Sequence, residues 1–257
     1  MTPIKPNDNI PVFGWLLLRG KCRSCSLPIS PMYPIIEFLT GALFVLTYYR
    51  FGFSLTTFKF LIFGCLLIVL IVTDLRVRIL PDAINWPGFG VGLAFALKVP
   101  PSGGIAVLFF HQNYLLNHPE AVLGLIDALV GAAVGSFLLW GAAFLYRLVR
   151  KREGMGMGDV KMMALVGAFL GVRGAFLTIL LGTLLGSILG LMVVALLFLF
   201  GWKRNVAERA RRRGLGEVNA LRWAIASQYQ LPLGTFLGIA ALIVVYASPA
   251  ILPRPVA

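Results

Sequence analysis

Negative charge is scarce in this chain: ten Asp and Glu stand against 23 Lys and Arg in 257 residues, a formal net charge of +13. Charge of either sign is rare, at 13% of positions, while 59% are hydrophobic and the mean hydropathy is +0.88. A water-soluble domain of this length has no interior large enough to hide that much apolar surface, so lipid must be part of the solvent. Three cysteines are too few for a disulfide framework. The two histidines, His111 and His118, share one loop with no further ligand nearby, which leaves them ordinary loop residues. The first 30 residues are rich in Pro, Asn and Lys without a continuous apolar core, so no cleavable signal peptide is expected. A positive surplus of this size suits the cytoplasmic loops of a membrane protein, and nucleic acid is not an expected partner.

The apolar runs predict an all-α fold, a polytopic membrane helix bundle of about seven transmembrane segments. These are expected near 33–50, 57–74, 83–98, 121–146, 159–173, 174–200 and 229–252, the third and fifth being short and glycine-containing. With the N-terminus inside, most of the basic residues fall on inside stretches. Arg50, Lys59, Lys98, Arg173 and Arg254 are left for the outside. The basic stretch 203–213 is expected to lie on anionic lipid of the inner leaflet. Residues 1–32 form a cytoplasmic N-terminal segment and 33–257 the membrane-embedded domain.

So few carboxylates can be weighed one by one. Asp8, Glu153, Glu208 and Glu217 lie in polar stretches, and Glu120 and Asp127 at the outer end of a span. Glu37, one turn into the first span, is expected to snorkel or to pair with an arginine. Asp82 follows Pro81 and reads as support for a helix start. Asp74 ends the run CLLIVLIVTD, at a helix C-terminus where a carboxylate has the wrong sign for the dipole. Asp159 stands in GMGMGDVK, either as a helix cap or in the first turn of the next span. Gly154, Gly156 and Gly158 there permit close approach and positive φ. Both Asp74 and Asp159 fall at cytoplasmic helix ends, where two carboxylates can share a proton and act as base and acid on water. The helix ends and Lys161 suggest Asp159 as the charged base and Asp74 as the protonated partner.

These residues resemble the bacterial type IV prepilin leader peptidases, a GxGD class of intramembrane aspartic proteases. Asp74 with Pro81 and Asp82 fits the family's D-x6-P-D pattern, and Gly156, Gly158, Asp159 and Lys161 fit its GxGDxK pattern. NIPVFGWLLLRGKCRSC and ISPMYPIIEFLTG resemble its entry into the membrane, and LPLGTFLGIAAL its last helix. The resemblance implies a catalytic pair, Asp74 and Asp159, with Gly156, Gly158, Lys161 and Asp82 supporting the site or binding substrate. It implies cleavage of leaders from prepilins and secretion-system pseudopilins at the cytoplasmic face of the bacterial inner membrane, among membrane lipids. The peptidase chemistry needs no cofactor. Bifunctional members also N-methylate the product with S-adenosylmethionine and carry two CxxC pairs behind a further N-terminal helix. This chain has one pair, Cys22 and Cys25, half of a possible zinc site. It begins in what resembles the stretch after the first pair, which implies truncation or a start assigned downstream and puts methyl transfer in doubt. A proton-coupled transporter and a secretion-apparatus scaffold are the rival readings. The first would prefer carboxylates at the bilayer midplane, and the second needs no aspartate motifs.

Overall fold

The computed structural model describes residues 4–101, 120–151, 155–199 and 232–247. The architecture is all-α: a short α1 (Phe13–Leu17), then α2 (Met32–Phe51), α3 (Leu55–Val77), α4 (Asp82–Ala96), α5 (Glu120–Arg150), α6 (Met157–Leu199) and α7 (Leu233–Ala247). Four of these are long and apolar enough to cross a membrane: α2, α3, most of α5, and α6 as far as Met192. His111, His118, Glu153, Gly154 and the basic stretch 203–213 lie outside the described residues.

Local chemistry sets the helix ends. Ser54 caps α3, its hydroxyl accepting the Thr57 N–H at 3.3 Å. At the other end Arg78 turns left-handed (φ 55°), and its N–H closes on the Asp74 carbonyl at 3.0 Å. Pro81 then precedes the first residue of α4, Asp82, as expected from the sequence.

The break between the expected fifth and sixth spans falls at Gly171 rather than at 173/174. Gly171 has φ 69° and ψ −172°, a backbone state that glycine alone adopts without strain. The chain reverses there. A Cβ built on Gly135 of α5 would stand 3.1 Å from the Met163 carbonyl oxygen and 3.2 Å from the Ala175 Cβ. Residues twelve apart on a straight helix are about 18 Å from each other, so the two limbs of α6 must lie side by side. Counted by limbs, α2 to α7 supply the seven expected segments. Arg173, expected in an outside loop, lies instead in the second limb, just past the reversal.

The helices pack through small residues. Gly131 of α5 and Gly167 of α6 meet backbone to backbone, and Gly92 of α4 lies against Ala168 and Phe169. Around these contacts Phe63, Leu67, Leu70, Met162, Met163, Leu165, Phe169 and Leu237 form a closed interior. Large side chains elsewhere, such as Phe38, Val45 and Tyr49 on α2, point outward, as suits helices whose surroundings are lipid.

Three charges find definite places in the fold. Glu37 is exposed, as a snorkelling side chain would be, and its Oε2 accepts the Val12 N–H at 2.7 Å, tying the N-terminal segment to α2. Lys59 is buried within α3, only 1% exposed, and its ammonium donates to the Val99 carbonyl just past α4 at 2.9 Å. Asp127 is buried, at 6% exposure.

Candidate active site

The end of α3, the start of α6 and the start of α7 meet at one end of the bundle. Asp74 lies in the last turn of α3 and is 6% exposed; Asp159 is the third residue of α6 and 9% exposed. Asp159 therefore belongs to the first helical turn and is not the cap, its own N–H bonding the Gly156 carbonyl at 3.2 Å.

The two side chains converge on Gly234, in the first turn of α7. A Cβ placed on Gly234 would stand 3.1 Å from Asp159 Oδ1 and 3.1 Å from Asp74 Oδ2. The two oxygens are thus separated by no more than twice that distance. Asp74 Oδ2 also accepts two hydrogen bonds from the next residue, from the Thr235 N–H at 2.6 Å and the Thr235 hydroxyl at 2.9 Å. The misplaced sign noted at the end of α3 is compensated here: the carboxylate sits against the N-terminal turn of another helix, where free N–H groups and the dipole favour an anion. Buried Leu80, from the α3–α4 link, closes the remaining side against Gly158 and Gly234.

The supporting residues divide. Gly156 lies beside the pair, a Cβ there falling 3.8 Å from Asp159 Oδ2. Gly158 instead gives room to Leu80, whose Cβ would be 2.9 Å from a side chain at 158. Neither glycine uses the positive φ that its missing Cβ permits, whereas Gly158 does use the close approach. Lys161 does not face Asp159; its ammonium binds both oxygens of Asp82, at 2.6 and 2.8 Å, joining the starts of α4 and α6. Gly234, Thr235 and Leu80 were not singled out from the sequence. LPLGTFLGIAAL marked α7, but nothing local to it points to two aspartates far upstream.

This arrangement of helix ends accompanies an extended sequence likeness. Residues 61–191, from within α3 to the second limb of α6, match the model of the type IV leader peptidase family, and residues 1–51 match the bacterial peptidase A24 N-terminal domain. The chain belongs to the type IV leader peptidase family. Its similarity to a prepilin leader peptidase/N-methyltransferase of Xanthomonas campestris pv. campestris is 37% identity over 183 residues, 71% of this chain and 56% of the relative. A Klebsiella pneumoniae protein of the same description is 35% identical over 181 residues, 70% of each chain. One from Neisseria gonorrhoeae is 36% identical over 191 residues, 74% of this chain and 59% of the relative. The chain thus spans less than two thirds of the Xanthomonas and Neisseria leader peptidases. No solved structure matches it at a significant level.

Zinc, implied by the family's paired CxxC motifs, meets an incomplete donor set. Cys22 and Cys25 are free thiols in a tight turn, the Ser26 N–H bonding the Cys22 carbonyl at 2.9 Å. Main-chain N–H groups of Cys25 and Ser24 and the Cys25 thiol reach the Cys22 sulfur and lower its pKa from the ordinary thiol range. Asp8 and Glu37 line the same cavity of about 930 Å³. Both are engaged, however, Asp8 with Arg23 at 2.7 Å and Glu37 with the Val12 N–H. No group of three or more His, Cys, Asp or Glu is placed to hold a metal among the described residues. Two thiols are half of a tetrahedral set, so no step below runs through zinc.

Proposed function

We propose that the chain is a membrane aspartic endopeptidase that removes the leader peptide of type IV prepilins and secretion-system pseudopilins at the cytoplasmic face of the bacterial inner membrane. The observation that carries this reading is the convergence of Asp74 Oδ2 and Asp159 Oδ1 on one point, each 3.1 Å from the Cβ position of Gly234. Two carboxylates so placed can bind one water between them and move its protons. Placement at helix ends, rather than at the middle of spans, suits a peptidase better than an ion-coupled carrier.

In the proposed reaction one carboxylate takes a proton from water as its oxygen attacks the scissile carbonyl carbon. The other carboxyl gives its proton to the departing amide nitrogen as the C–N bond breaks. The products are a carboxylate on the leader and a free amine on the pilin. Asp74 Oδ2 already accepts two hydrogen bonds from Thr235. That favours Asp74 as the base and Asp159 as the proton donor, the reverse of the split suggested by the helix ends alone. Lys161 does not oppose this, being paired with Asp82.

In this reading residues 1–32 are a cytoplasmic segment latched to the membrane domain through Glu37. The substrate's apolar helix arrives through the bilayer, with anionic lipid mediating the encounter of two basic partners. The proposed chemistry covers leader cleavage alone, and no step of it runs through Cys22 or Cys25. The test is cleavage of a purified prepilin in liposomes by the unaltered chain, Asp74→Ala and Asp159→Ala. Each substitution should lower the rate by about 10²–10⁴-fold with the fold retained. Full activity in either variant refutes the dyad.

A further inference from the structure

The C-terminal helix touches the aspartate pair with two successive residues, and each contact has a definite chemical consequence. Gly234 and Thr235 are both buried, and Thr235 is 4% exposed. At Gly234 a single methyl group would intrude between the carboxylates, 3.1 Å from an oxygen of each and 2.9 Å from Leu80 Cδ1. That space is where a water held by both aspartates, and then the scissile carbonyl, must enter. At Thr235 both donors act on the same Asp74 oxygen, the N–H from 2.6 Å and the hydroxyl from 2.9 Å. Two donors converging on one oxygen remove the carboxylate's rotational freedom and fix Oδ2 beside the Gly234 space.

We propose that the first turn of α7 is the third wall of the active site: Gly234 keeps open the space between Asp74 and Asp159, and Thr235 is the positioning residue that aims Asp74 into it. This rests on the peptidase reading above. The site is then completed only when the C-terminal helix docks, although α7 lies beyond the stretch of chain that carries both aspartates.

The experiment is steady-state prepilin cleavage in liposomes by the full chain and by Gly234→Ala, Gly234→Ala with Leu80→Ala, Thr235→Val and Thr235→Ser, with Asp74→Asn and Asp159→Asn beside them. Thermal unfolding in detergent checks the fold of each. Gly234→Ala should lower kcat at least about 100-fold, and Leu80→Ala should not rescue it, since the methyl still stands between the carboxylates. Rescue would show that the loss was a clash with Leu80 and would overturn the role of Gly234. Thr235→Val keeps the N–H and loses the hydroxyl. It should lower kcat about 10- to 100-fold with KM unchanged, and Thr235→Ser should restore it. Thr235→Val with full kcat, or with a raised KM at full kcat, overturns the positioning role. If Asp74→Asn or Asp159→Asn cleaves normally, the dyad itself fails. If both are inactive while Gly234→Ala and Thr235→Val are fully active, only the third wall fails.

Discussion

Asp74 and Thr235 lie 161 residues apart in the chain, yet two hydrogen bonds of 2.6 and 2.9 Å join them at the mouth of the bundle. The contact sets the last turn of α3 against the first turn of α7, a negative helix end against a positive one. Between them Asp74 Oδ2 belongs to both helices. Asp159 reaches the same point from the start of α6, so two helix N-termini and one C-terminus surround the two carboxylates. A buried pair of acids is costly to assemble, and the free N–H groups of two helix starts offset part of that cost.

Gly171 should tolerate no side chain. Its φ of 69° and ψ of −172° lie in a region almost confined to glycine, and a Cβ there would also stand 2.9 Å from Pro101 Cβ. Gly171→Ala is expected to destabilise the fold by about 1–3 kcal/mol. The loss should appear as a lower midpoint in thermal unfolding in detergent. An unchanged midpoint would mean that the reversal between the limbs of α6 is made elsewhere.

The Lys161–Asp82 pair should matter little to stability and only modestly to the chemistry. It is bidentate, at 2.6 and 2.8 Å, but the side chains are 31% and 57% exposed. An exposed pair of this kind contributes about 0.2–1 kcal/mol. A double-mutant cycle of Asp82→Asn and Lys161→Met, read by unfolding, should return a coupling in that range. Prepilin cleavage by Asp82→Asn should stay within about tenfold of the unaltered chain, far from the loss expected at Asp74. Complete inactivity of Asp82→Asn would give Asp82 a direct part in the reaction.

Cys22 should alkylate faster at neutral pH than an ordinary exposed thiol. The N–H groups of Cys25 and Ser24 and the Cys25 thiol donate to its sulfur and stabilise the thiolate, so its pKa lies below the ordinary thiol range. Below that lowered pKa the sulfur is a thiol and reacts slowly; above it the thiolate and the rate are fully developed. Iodoacetamide labelling of Cys22, followed by mass spectrometry in a Cys25-intact chain, should therefore reach half its maximal rate at a lower pH than the same thiol in an unstructured peptide. Titration at or above the ordinary range would remove the argument that the turn prepares this sulfur.

The amino-acid sequence by itself determined the all-α, apolar character of the fold, and it drew attention to the two aspartates that the bundle brings together. Each of these is carried by local pattern: long apolar runs, a positive bias between them, and carboxylates so rare that Asp74 and Asp159 stand out at helix ends. Even the end of α3 and the start of α4 were legible, through Pro81 and Asp82. The point of chain reversal in the fifth segment was missed by two residues, because three glycines, 167, 171 and 174, are alike in sequence and only Gly171 takes a positive φ. What the tertiary structure alone decided is which groups answer those aspartates. Lys161 is two residues from Asp159 yet turns to Asp82, while Thr235 crosses the whole chain to reach Asp74. Glu37 likewise holds the main-chain N–H of Val12, 25 residues before it. Hydrogen bonds extend about 3 Å and depend on angle, so they are fixed by how helices dock, and helix docking is not written in the spacing of residues along one strand of sequence.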